Sequence, residues 1–385
     1  MKFLRQYLDK IKPTFSAGGK MAMFHSVFEG IESFLFVSNA TAGADETHIH
    51  ASHDSKRAMS IVVIALIPCL LFGMFNLGAQ HFAAIGAPAG WLKALVYGLF
   101  AVLPMLVVSY GVGLGIEFAV AQWKGHEIQE GFLVSGMLIP LIVPVNTPLW
   151  MIGVATAFSV VFCKEVFGGT GFNIWNPALI ARAFLFFAYP SKMSGEAVWI
   201  STESRFGYGG GQVVDGFSGA TPLSHLGSDA PNYLDMFLGF IPGSVGETSK
   251  LCIFIGALIL LATGIASWRT MLSVFAGGLL TAWLFNLIGA NVAMQTPPLQ
   301  HILLGGFAFG AVFMATDPVT SPRSRNGKYV FGFLVGTLAI LIRILNPGYP
   351  EGMMLAILLM NSFAPLIDHC VVQNNINRRL KRIKQ

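Results

Sequence analysis

The feature that most constrains this chain is the length of its uncharged apolar runs. Residues 59–79, MSIVVIALIPCLLFGMFNLGA, carry no charge at all, and comparable runs recur along the 385 residues. A run of about 18 or more such residues is long enough to cross a bilayer as a helix. The apolarity is continuous, without the alternation of a membrane β-barrel. Charged residues make up 11% of the chain, against about a quarter in soluble domains. The sequence therefore predicts an all-α integral membrane protein.

About ten spans are expected, near 57–77, 92–122, 131–146, 149–164, 176–190, 250–268, 270–290, 301–316, 328–345 and 351–371. Those starting at 131, 149 and 176 are short for a straight crossing, as tilted or broken helices would be. They give a polar amino-terminal arm (1–56), a first membrane unit (57–190), one long loop (191–249), a second membrane unit (250–371) and a basic tail (372–385). The arm opens with MKFLRQYLDKIKPTF, whose apolar stripe fits a helix on a membrane surface or a partner.

Charge orients the chain. With the amino terminus cytoplasmic, four of the five outer loops contain no Lys or Arg; the long one holds Lys192, Arg205 and Lys250. The basic clusters of the arm, of Arg323, Arg325 and Lys328, and of the tail all fall inside, as the positive-inside rule requires. The net charge of +5 thus reads as topology, not as a nucleic-acid surface. The four cysteines, Cys69, Cys163, Cys252 and Cys370, form no Cys-x-x-Cys pair and read as small packing residues.

A weak repeat runs through the membrane units. GFLVSGMLIPLIVPVNTP (131–148) resembles GFAFGAVFMATDPVTSP (306–322), and NPALIARAFLFFAYP (176–190) resembles GMMLAILLMNSFAPL (352–366). Both offsets are about 175 residues, which predicts two five-helix repeats. Five is odd, so the copies lie inverted, an arrangement that often places an ion or substrate site between them.

Ionisable groups at membrane depth are functional candidates. Glu117, Asp317 and Asp368 suit a cation path, since carboxylates and carbonyls freed by Pro and Gly are ligands for a hard ion. Arg182 and Arg343 are expected to serve either function or ion pairing with a carboxylate across the halves. In KEVFGGTGFNIWNPA (164–178) the lysine precedes the glycines, so this is no phosphate-binding P-loop. Asn173 and Asn176 could grip the edge of a heteroaromatic ring, or Asn176 could cap the helix opened by Pro177.

The long loop holds DGFSGAT, Asp215 to Thr221. It resembles the flavin-attachment motif of subunits of Na⁺-translocating NADH:quinone oxidoreductases and of the related Rnf complexes. The likeness extends through GGK (18–20), KEVFGGTG, NPAL, RAFLFFAYP, IPGS (241–244), ATDPV, NPGYPEGMMLAIL and FAPLIDH. The long polar arm is closer to the B-type members of the Na⁺-pumping enzymes than to their shorter Rnf counterparts.

The resemblance implies covalent FMN on Thr221 and non-covalent riboflavin near Asn173 and Asn176. Glu29, Glu117, Asp317 and Asp368 match its acids associated with Na⁺. Gly113 matches one of two adjacent glycines linked to quinone binding; Leu114 stands where the second is usual. The segment 201–214 is longer than the family norm. The chain would be one of six subunits, working with A, C, D, E and F in a bacterial inner membrane, and would need a flavin transferase. NADH would be oxidised by another subunit and ubiquinone reduced here as Na⁺ is exported. The rival expectations are an Rnf-type subunit and a secondary transporter with no redox role.

Overall fold

A computed structural model describes residues 2–15, 28, 32, 55–87, 89–124, 131–193, 199–214, 219–226, 231–346, 348 and 351–383. Glu29, the Gly18–Lys20 motif and Asp215 to Ser218 lie outside these residues. Among the described residues the regular structure is helical, with one isolated bridge between Arg205 and Tyr208.

The helices used below are α1 (Lys2–Phe15), α2 (Ser55–Ala84), α3 (Trp91–Lys124), α4 (Phe132–Ile142), α5 (Leu149–Ser159), α6 (Pro177–Ala188), α7 (Lys250–Ala262), α8 (Trp268–Ile288), α9 (Pro298–Leu303), α10 (Phe307–Phe309), α11 (Arg325–Leu345) and α12 (Met353–Ile383). Five helices among the described residues are long and apolar enough to cross a membrane: Arg57–Ala84, Trp91–Lys124, Trp268–Ile288, Arg325–Leu345 and Met353–Arg382. Shorter apolar helices, α4, α6 and α7, pack among them. α12 runs on through the basic tail to Ile383.

Two apolar segments change winding. α5 passes into a π-turn over Val160–Glu165, and α10 into another over Gly310–Met314. The bonds Val166 N–H to Val161 O (3.0 Å) and Ala315 N–H to Gly310 O (2.8 Å) span five residues. Such turns frequently mark functional sites, because the extra residue re-aims the side chains around it.

Small residues let the helices touch. A Cβ on Gly336 of α11 would lie 2.0 Å from Val274 O, and one on Gly277 of α8 would lie 2.2 Å from Phe333 O. The same contact recurs between α2 and α3, where Gly78 meets Ala94 O and Gly98 meets Met74 O. Lipid tails are as apolar as leucine, so helices gain from such close approach rather than from burial alone. Replacing Gly336 with Leu is expected to separate α8 from α11 at a cost of about 1–3 kcal/mol or more. A lowered yield and melting temperature of the purified protein would register it.

The long loop is more than a solvated strap. Leu223, Met236 and Ile241 are buried with Leu304 in a small core of their own, beneath which the chain enters α7.

Candidate functional site

Two cavities lie at opposite ends of α7. The larger, about 840 Å³, is lined at the α7 start by Glu247, Thr248 and Lys250, and at the end of α11 by Arg343, Ile344 and Leu345. Its rim includes Ala220, Thr221 and Pro222 of the long loop. Thr221 is extended (φ −72°, ψ 149°) before a short turn at Pro222–His225, and its hydroxyl makes no capping hydrogen bond.

The wall of this cavity carries buried charge. Lys250 and Arg343 are 5% and 2% exposed. Lys250 Nζ donates to the carbonyls of Glu247 (2.5 Å) and Gly305 (3.2 Å). Arg343 donates to the carbonyls of His301 and Leu304. Arg182 of α6 is paired with Glu351, 169 residues away, so the expected ion pair between the halves forms. Both carboxylates crowd Gly306, where a Cβ would meet Glu247 Oε2 at 2.5 Å and Glu351 Oε1 at 3.2 Å. Two cations, Lys250 and Arg343, and two carboxylates, Glu247 and Glu351, line the cavity, and Arg182 is paired with Glu351.

The second cavity is narrow, about 80 Å³, and lies between the start of α2, the end of α7 and the glycine loop before α6. Gly168, Gly169 and Gly171 take φ of 117°, 97° and 94°, conformations that side chains disfavour; they turn the chain back so that Asn173 and Asn176 face inward. Asn176 Oδ1 caps α6 by accepting from Ala178 N–H (3.0 Å) and Leu179 N–H (3.4 Å). Its Nδ2 also donates to Asp317 Oδ2 (3.3 Å), so the capping residue belongs to the cavity wall as well. Asn173 Nδ2 donates to Trp175 O (3.0 Å). Asp317 further accepts from Val319 N–H and Thr320 Oγ1, both at 3.1 Å.

Lys164, in the π-turn of α5, completes this wall and forms a buried ion pair with Glu117 of α3. Each side chain is 4% exposed, and Glu117 Oε2 has no partner among the described residues. The sequence pointed to the acid and missed its lysine, whose only signal was a basic residue at the end of an apolar run.

The remaining candidates fall elsewhere. Asp368 accepts from Arg323 N–H (2.7 Å) and Ser324 N–H (3.0 Å), tying α12 to the start of α11. Gly113 is a notch: a Cβ there would lie 2.0 Å from the Phe132 ring. Leu114, beside it, is half-buried against the core.

A bundle of long apolar helices with shorter ones packed among them, and with charged cavities at two levels, defines a multi-pass membrane protein built to hold polar groups within its apolar body. The chain belongs to the NQR2, RnfD, RnfE family, whose model matches residues 43–377. It is 45% identical to the B-type subunit of the Na(+)-translocating NADH-quinone reductase of Chromohalobacter salexigens, over 98% of this chain and 96% of that one. The protein of the same name from Pseudomonas aeruginosa is 43% identical over 98% of this chain and 99% of its own. That of Klebsiella pneumoniae is 41% identical over the same shares.

Proposed function

We propose that this chain is the membrane subunit of a Na⁺-translocating NADH:quinone reductase that carries FMN on Thr221 and passes electrons to ubiquinone as Na⁺ is exported. The observation that carries the reading is the placement of Thr221 on the rim of the large cavity, with its hydroxyl uncommitted to a cap. A volume of about 840 Å³ lies within the usual ~300–1,000 Å³ of cofactor sites. The two buried cations of the wall suit a phosphate ester and a ring that gains negative charge. Lys250 and Arg343 would supply that field, and Trp199 and Phe186 the apolar flanks.

The narrow cavity supports riboflavin by its donor set: two carboxamides, Ser135, Lys164, and a Thr170 hydroxyl that has no partner among the described residues. At about 80 Å³ it admits a few waters as it stands, so a three-ring system enters only with movement of lining side chains such as Met59. A flavin supplies one- and two-electron chemistry; the chain supplies position, charge and exclusion of water.

Two inverted five-helix repeats fit a second observation. Phe132 fills the Gly113 notch of α3, and Phe307, about 175 residues later, fills the Gly278 notch of α8, where a Cβ would lie 2.4 Å from its ring. With both termini cytoplasmic in a bacterial inner membrane, Thr221 faces outward. Reporter fusions after Gly219 and after Gln385 are expected to give opposite signals; equal signals would overturn this topology. The partners in this reading are the A, C, D, E and F subunits and a flavin transferase. The reading as a whole is tested by the mass of the chain purified from its native host, which should exceed the sequence mass by one esterified FMN.

A further inference from the structure

We infer a monovalent-cation site in a small chamber between α2 and the 241–249 segment, with Asn76 Oδ1, Ser244 Oγ and Thr248 Oγ1 as ligands. The chamber is about 10 Å³, close to the space one water-sized sphere needs. All three residues line it and are 3%, 1% and 3% exposed. All three oxygens lack a hydrogen-bond partner among the described residues. Buried polar atoms are normally satisfied, and an unmet group costs about 1–3 kcal/mol. Three such oxygens around one small void form a ligand set that a single small occupant would satisfy.

The amide of Asn76 is not free to turn away. Its Nδ2 donates to Ile241 O at 3.0 Å, which leaves Oδ1 for the chamber. Gly73, one turn earlier, approaches Val245 so closely that a Cβ would lie 1.9 Å from its carbonyl oxygen, which fixes α2 against the loop. The ligands thus come from two segments held in register.

The donor set selects the ion. The three candidate ligands are oxygens, and the lining holds no histidine or cysteine, as suits a hard cation. No charged side chain lines the chamber, so a divalent ion would be buried without compensation. One positive charge is balanced close by: Glu247 Oε1 accepts from Ser244 N–H at 3.4 Å. Lys250 opposes a cation, but its ammonium is turned to the carbonyls of Glu247, Thr248 and Gly305. Trp199, Pro242, Gly243 and Thr248 line both the chamber and the large cavity, which makes the cavity the route of access.

That the ion is Na⁺ rests on the pump reading; on that reading the chamber is a station on the side of the membrane where Na⁺ leaves. A high-resolution structure of the complete complex in NaCl tests occupancy directly. Ligand distances of about 2.4 Å mark a hard cation, whereas about 2.8 Å marks water. An empty chamber, or a bound water only, overturns the inference. In solution, Thr248→Val and Ser244→Ala each remove one oxygen with little change of shape. Each is expected to raise the half-saturating Na⁺ concentration for quinone reduction about tenfold, and Ser244→Ala, outside the lining of the large cavity, to do so at unchanged flavin content. An unchanged value in either assembled variant overturns the site, and if neither variant assembles the ligand distances in the wild-type complex decide. A wild-type complex without flavin, or without Na⁺ stimulation, would instead overturn the pump reading and leave a cation at about 2.4 Å standing.

Discussion

Replacing Thr221 with Ala is expected to abolish the ultraviolet fluorescence of the denatured chain, remove the mass of one FMN and reduce quinone reduction to background. The hydroxyl is the group that such an ester needs, and no other residue supplies it at that position. The local chain suits attachment: Gly219 and Ala220 precede the threonine without bulk, and Pro222 holds the preceding residue extended. An extended peptide can enter the active site of a transferase, after which Ala220, Thr221 and Pro222 settle on the cavity rim. The substitution should spare the fold, because the Thr221 side chain caps nothing and the change is of the class that costs within about ±0.5 kcal/mol. Loss of fluorescence in an assembled complex therefore reports attachment. Ser at this position should retain part of the signal, since it keeps the nucleophile. Fluorescence that persists in the Ala variant would remove Thr221 from the reading.

The helices were legible because lipid imposes a simple rule: every backbone group in the apolar layer is bonded within its own segment. Runs such as 59–79 and 328–345 therefore read directly as α2 and α11. What stayed hidden depends on which segments meet. Nothing local in the sequence joins Glu117 to Lys164, 47 residues on, or Arg182 to Glu351. The space beside Gly113 is filled by the Phe132 ring, an apposition of two helices that periodicity does not encode. The sequence admits Asn176 as a helix cap, and its oxygen caps α6; that its nitrogen reaches Asp317, 141 residues on, is a tertiary pairing no local pattern carries. The polarity of the long loop concealed Met236 and Ile241, which anchor it.

The Glu117–Lys164 pair changes what a charge-removing variant measures. Both side chains are 4% exposed, so Glu117→Gln leaves an ammonium buried without its counter-charge. Breaking such a pair from one side typically costs about 3–5 kcal/mol, and Lys164→Met is expected to be as harmful for the mirror reason. Assembled complex should fall sharply in each single variant. The double variant Glu117→Gln, Lys164→Met removes both charges and should recover much of the yield, because a buried pair replaced as a unit is often close to neutral. Lys164 also lines the narrow cavity with Asn173, Asn176 and Asp317, while Glu117 Oε2 is buried and unpartnered among the described residues. In the double variant the carboxylate is absent without the stability defect, and its flavin content, read beside its Na⁺ dependence, separates loss of the acid from loss of Lys164 at the cavity wall. On the proposal that Glu117 serves the ion path, the half-saturating Na⁺ concentration should rise about tenfold, the loss of one charged ligand being worth on the order of 1.4 kcal/mol or more. A double variant that assembles, holds both flavins and saturates at the wild-type Na⁺ concentration would leave Glu117 as a packing partner of Lys164 and nothing else.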